Sequence, residues 1–233
     1  MNPTEGVLSE AWGMYKAHWR HLIPIALVVY LALALATLVL AAALTWLGIL
    51  LGFVISIVGA FWVQGALTQA VDDIRDGRPD LTLGETFARV RPRLGSIIVA
   101  GFLAGLGIAV GLILLIVPGL VLLTWWVLII PVIVLEQRSA GEAFGRSREL
   151  VRGFGWNVFG TIVLTFLILI GVGIVLNIIL FPVADWLQGF LSNVISGTLT
   201  TPFIALVWTL LYFRLRGAKE PAVEPAAPPA EPA

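Results

Sequence analysis

The chain has 233 residues, of which 59% are hydrophobic and 12% charged; a soluble domain carries about 25% charged residues, so a water-soluble fold is excluded. Formal net charge is zero, which leaves nothing to draw the chain as a whole to nucleic acid, and no nucleic-acid partner is expected. There is no cysteine and there are only two histidines, which excludes a disulfide framework and leaves no donor set for a metal; no metal or cofactor is expected.

Residues 1–21 read as a cytoplasmic amphipathic segment. Three runs almost free of charge follow, at 22–71, 94–135 and 153–213, with Asp185 the sole exception. A helix needs about 20 apolar residues to cross the hydrocarbon core, so each run has the length of two spans and a tight turn. The expected fold is therefore an all-α membrane domain over 22–216, six transmembrane helices forming three hairpins. The spans are placed at 22–45, 49–71, 95–116, 119–135, 156–181 and 191–213. Turns are expected at Thr45 to Gly48, at Pro118 with Gly119, and from Pro182 to Gly189, which puts Trp46 and Trp186 at the membrane interface. Pro131 removes a backbone hydrogen bond from the fourth span and predicts a kink near its cytoplasmic end. The first run is too long for the core of a signal peptide, and Ala, Pro and Glu dominate residues 217–233, which predicts a disordered cytoplasmic tail.

With these spans all fourteen Lys and Arg fall on one side. The positive-inside rule makes that side cytoplasmic and places both termini there.

A similar unit precedes each run. Glu10, Trp12, Gly13 and Lys16 match Glu85, Phe87, Ala88 and Arg91, and these match Glu142, Phe144, Gly145 and Arg148. Acid, aromatic, small residue and base recur in that order. Thr82 with Glu85 and Ser139 with Glu142 have capping-box spacing, whereas the first unit carries Val7 instead. Each unit reads as a short amphipathic helix on the cytoplasmic surface, with its aromatic toward the acyl chains and its base toward the headgroups. The same composition also suits any membrane-surface helix, so true threefold repetition stays open. Pro92 is expected to end the second such helix and start the third span.

Apart from Asp185 in an outer turn and Glu136 at the cytoplasmic exit of the fourth span, where pairing with an arginine is expected, the apolar runs carry no acid. Polar residues do align at helical spacing: Ser56, Ala60, Gln64 and Thr68; Asn157, Thr161 and Thr165; Ser196 and Thr200. Such faces serve helix packing or a transport path, and packing is the simpler reading. Gly101 with Gly105 and Gly107 with Gly111 mark a closely packed third span, and Pro202 is the candidate hinge of the sixth. His18 and His21 have metal-ligand spacing without a third ligand. No paired acids, activated nucleophile or phosphate-binding glycine loop is present, so no enzyme is expected. Arg89, Arg91, Arg93, Arg146, Arg148 and Arg152, on or beside the surface helices, are the candidates for a lipid-headgroup or protein-partner site, with topology-setting charge as the plain alternative.

Pro131, Leu135, Glu136, Ala143, Ser147, Leu150, Gly153, Trp156, Gly160 and the closing run from Tyr212 to Arg216 resemble the membrane domain fused to some glycerophosphodiester phosphodiesterases, and its stand-alone bacterial relatives. The likeness covers the last third of the chain; the rest agrees in hydropathy alone. It implies a bacterial cytoplasmic membrane protein connected with lipids or the envelope. It does not imply phosphodiesterase activity, because in those fusions the hydrolase is a separate soluble domain. Membrane lipids and a membrane-protein partner are the expected interactors of a non-enzymatic protein; a small-solute transporter or channel subunit is the alternative.

Overall fold

A computed structural model describes residues 3–75, 77, 81–183 and 185–220, without the side chains of 185 and 186. Every regular element among them is a helix: α1 (Val7–Arg75), α2 (Leu83–Val90), a 3₁₀ turn (Arg91–Arg93), α3 (Leu94–Leu114), α4 (Ile116–Trp126), α5 (Ile129–Leu135), α6 (Ala140–Val151), α7 (Gly155–Leu180) and α8 (Asp185–Lys219). Taking α2 with α3 and α4 with α5, five helical stretches are long and apolar enough to cross a membrane. Large apolar side chains cover their outer faces, as expected where hydrocarbon replaces water as the solvent.

α1 is broken twice, at His18 (φ −119°, ψ 19°) and at Thr45 (φ 50°, ψ −125°). Beyond Thr45 a β-carbon on Gly48 would fall 1.8 Å from the Leu40 carbonyl oxygen, on Gly52 2.8 Å from Thr37 Cγ2, and on Gly59 2.5 Å from Leu33 Cδ1. The contacts descend the two arms of α1 in opposite directions, and glycine is what lets the arms meet.

The second break differs from the expected one. The helix stops at Leu115 (φ −155°, ψ 130°), three residues before Pro118. Pro118 instead lies in the first turn of α4, where an N–H has no helical partner to lose. Around this break Gly111 lies against Gly119 and Gly107 against the Trp126 ring, while Gly101 lies against Phe61; Gly105 has open space beside it.

The kink expected from Pro131 is a full interruption between α4 and α5, at residues 127–128. Proline has no N–H for the Val127 carbonyl, so the ladder cannot continue. Ser147 of α6 repairs the gap: its Oγ donates to the Trp125 carbonyl (2.6 Å) and accepts the Leu128 N–H (3.3 Å).

The chain turns at 181–183 and α8 opens at Asp185, so the helix is longer than expected at both ends. It runs unbroken past Pro202 to Lys219, into the segment assigned to the tail; residues 221–233 lie outside the described residues. Trp46 is exposed, and the expected position of the Trp186 side chain falls outside the description.

The two capping boxes form. Glu85 N–H donates to Thr82 Oγ1 (3.3 Å) and Thr82 N–H to Glu85 Oε2 (2.8 Å), while Ser139 N–H donates to Glu142 Oε2 (2.9 Å). Pro92 stands in the 3₁₀ turn between α2 and α3, as its geometry requires. The unit aromatics, however, do not simply turn outward. Phe87 meets the Trp62 ring edge to face at 5.3 Å, Phe144 meets Trp126 at 5.0 Å, and Trp12, still 53% exposed, meets Phe203 at 6.4 Å. A ring edge against a ring face gains from the aromatic quadrupole beyond its buried area, which apolar chains cannot supply. Phe87 and Phe144 dock on the apolar run just before their own unit, and Trp12 closes the cycle by docking on the last run. The residue after each acid, Ala11, Thr86 or Ala143, is fully buried.

Candidate functional site

The densest polar cluster lies where α5, α6 and α8 converge. Glu136 is the first residue after α5, carried to the end of the apolar run. α6 buries Ala143, Arg146, Ser147 and Leu150, a stripe at helical spacing, so Arg146 points inward while Gly145, Arg148 and Glu149 stay outside. On α8, Tyr212 and Arg216 are one turn apart, and Glu220 follows just past the helix end.

Arg146 Nε lies 3.0 Å from both carboxylate oxygens of Glu136. Glu136 also accepts from Arg138 Nε (2.7 Å) and from the Tyr212 hydroxyl (3.0 Å). Arg146 goes on to Glu149 (3.1 Å) and to Glu220, which pairs in turn with Arg216 (3.2 Å). Arg216 Nη1 donates to the Tyr212 hydroxyl at 3.2 Å and closes the ring of contacts. The side chains of Glu136 and Arg146 are each 9% exposed, whereas Arg216 and Glu220 are each 46% exposed. The inner pair has surrendered its water and depends on its partners; the outer pair contributes at most about 1 kcal/mol.

Burial works to raise the Glu136 pKa, but the hydrogen bonds from Arg138, Arg146 and Tyr212, with the Arg146 charge, outweigh it and hold the carboxyl below its ordinary range. Burial likewise works against the Arg146 charge, and the bonds to Glu220, Glu136 and Glu149 more than offset it, raising its pKa further. Both groups stay ionised at neutral pH. Leu135, Gln137 and Glu142 complete an open groove of about 540 Å³ over this cluster. Ion pairing, rather than proton transfer, is the chemistry such fully ionised and mutually satisfied groups provide.

The six arginine candidates divide. Arg146 belongs to the internal cluster, Arg148 lies over the Trp125 ring at 4.2 Å, and Arg93 donates to Gln137 Oε1 at 3.1 Å. Arg89, Arg91 and Arg152 are exposed, and among the described residues they form no ion pair. Tyr212 and Glu220 escaped the sequence reading as members of the cluster. Their signal was the spacing of Tyr212, Arg216 and Glu220, one helical turn between each, hidden because Glu220 stood in the presumptive tail.

Other candidates have local roles. His18 Nδ1 lies 3.2 Å from the Met14 carbonyl, at the first break in α1. Thr68, Thr161, Thr165 and Thr200 each donate to the carbonyl four residues back, at 2.7–3.0 Å, as packed membrane helices commonly do. Beside Pro202, Tyr15 donates to the Leu199 carbonyl (3.1 Å) and Tyr30 bonds Thr201 Oγ1 (2.8 Å), so α1 braces the proline-bearing stretch. A second, polar cavity lies between α1, α7 and α8, toward the opposite end of the bundle.

Long apolar helices and a charged cluster beyond their ends define an α-helical membrane protein. Comparison with protein-family models, with curated proteins and with solved structures returns no match.

Proposed function

We propose that the chain is a non-enzymatic, multi-pass protein of the bacterial cytoplasmic membrane that binds anionic lipid headgroups, or a membrane partner, through its cytoplasmic surface helices. In this reading it spans the bilayer six times as three hairpins, with both termini in the cytoplasm. The opposed glycine contacts on the two arms of α1, and of α3 with α4, support the hairpins.

One observation carries the reading: α2 and α6 are docked by Phe87 and Phe144, which leaves Arg89, Arg91 and Arg152 exposed at the basic end. Each such base near an anionic surface gains about 1 kcal/mol. The family resemblance is carried with the same proposal, supported, among the residues that suggested it, by the bond of Tyr212 to Glu136 and by Ser147 bonding the backbone at the interruption that Pro131 imposes.

Lipid analysis of the protein in native nanodiscs tests the reading. Anionic lipid enriched over bulk membrane, and lost when Arg89, Arg91 and Arg152 are all changed to Gln, is the expected result. Absence of enrichment together with no cross-linked partner would end it. A small-solute transporter or channel subunit is the second reading, favoured by the polar cavity. Liposome flux abolished by Gln64→Leu or Asn157→Leu would support that alternative.

A further inference from the structure

The cavity between α1, α7 and α8 has a volume of about 420 Å³, within the range of small-molecule sites. Tyr30, Asn177, Ser192, Asn193, Ser196 and Thr200 give its wall hydroxyl and amide groups, and among the described side chains the Tyr30 phenol is the one ionisable group that lines it. Its α8 residues, Ser192 to Thr200, stand twelve to twenty positions before Tyr212, so the cavity reaches about 20 to 30 Å from the charged cluster at 1.5 Å per residue. It thus occupies the half of the bundle where the flanking surfaces are otherwise apolar.

The walls are already partly committed. Tyr30 is tied to Thr201, Thr200 donates to the Ser196 carbonyl, and Asn177 Nδ2 donates to the Gly173 carbonyl at 3.0 Å. Ser192 Oγ, by contrast, is shielded from solvent and has no protein partner. At Gly197 a β-carbon would strike the Tyr30 ring at 2.4 Å, so this glycine is needed for packing. At Gly173 and Gly189 a β-carbon would meet nothing within 4 Å: both face open space. Packing does not require glycine there, and a larger residue would close the volume.

Hydrocarbon in this cavity would leave the Ser192 hydroxyl without a partner, at about 1–3 kcal/mol for a buried group. Among the described side chains a charged occupant would find no counter-charge in a medium of low dielectric. We propose that the cavity is a hydrated binding site for a small uncharged ligand rich in hydroxyl or amide groups. The proposal goes beyond headgroup binding at the basic end and does not depend on it.

The absence of native cysteine makes the test direct. Ser196→Cys and Asn193→Cys, in phosphatidylcholine proteoliposomes, are treated with a charged, membrane-impermeant methanethiosulfonate applied from each side in turn; Ile178→Cys, on the apolar outer face of α7, is the control. Both cavity cysteines react from one side, many times faster than the control, and Gly189→Leu added to either slows the reaction. Xylitol protects them saturably, while potassium chloride at equal osmolarity does not. If diacylglycerol doped into the vesicles protects and xylitol does not, the same hydroxyl chemistry is met by a lipid. Labelling from either side supports the site whichever way the chain faces. Cysteines inert from both sides, or reactive yet protected by neither hydroxylated probe, overturn it.

Discussion

Arg146 and Glu136, ten residues apart in sequence, meet with Arg146 Nε 3.0 Å from each carboxylate oxygen, and neither side chain is more than 9% exposed. Removing one member leaves the other largely buried with fewer partners, Glu149 and Glu220 for Arg146, Arg138 and Tyr212 for Glu136. Glu136→Gln is expected to lower stability by about 2–4 kcal/mol, while the double change Glu136→Leu with Arg146→Met costs less than the sum of the two single changes. Denaturant titrations of Glu136→Gln, of Glu136→Leu and Arg146→Met singly, and of the double change, all in one detergent, check this; strictly additive losses around the Leu/Met cycle would show that the pair is not coupled.

The same cluster sets a pH dependence. Glu136 is held below its ordinary value of about 4.5, and so is Glu220, chiefly by its bond to Arg146. A carboxyl with a depressed folded-state pKa binds protons more readily in the unfolded chain, so its stabilisation is complete above about pH 4.5 and is lost as pH falls through the lower folded value. Arg146, shifted upward, is protonated throughout this window and does not contribute to the change. Melting temperature should therefore stay flat from pH 7 to about 5 and fall below that, and the fall should be shallower in Glu136→Gln. An identical acid limb in both proteins would be evidence against the assignment.

Among the described residues, Ser147 is the one side chain bonded to both sides of the interruption between α4 and α5. Ser147→Ala keeps the packing volume but leaves the buried Leu128 N–H and Trp125 carbonyl without their partner, and is expected to lose about 1–3 kcal/mol. Pro131→Ala in that background should recover part of the loss, because the restored N–H can reach the Val127 carbonyl. Thermal melts of the single and double variants decide it; Pro131→Ala adding a further loss would contradict the account.

Thr45 carries positive φ, a region that β-branched residues avoid, at the point where α1 folds back. Thr45→Gly is expected to be tolerated or to stabilise by about 1 kcal/mol. Gly48→Ala, three residues on, would drive a methyl into the Leu40 carbonyl and should severely reduce folded yield. Size-exclusion profiles of the two variants distinguish them, and a normal profile for Gly48→Ala would mean that the arms do not approach as closely as described.

Local chemistry along the chain was enough to determine the helices, the apolar runs, both capping boxes and the helix boundary at Pro92, because hydropathy, capping spacing and proline geometry act over one or two turns. Local signals misplaced the second break, since Pro118 and Gly119 suit a helix start as well as a turn, and they understated the consequence of Pro131. Only tertiary structure decided that the unit aromatics bind rings on neighbouring runs, that Arg146 turns inward while Arg89, Arg91 and Arg152 do not, and that Tyr212 and Glu220 join Glu136. Those outcomes depend on which surfaces of distant helices face each other, and composition cannot encode that: six arginines of similar local context acquire different roles only when a carboxylate from another helix is placed within reach of one of them.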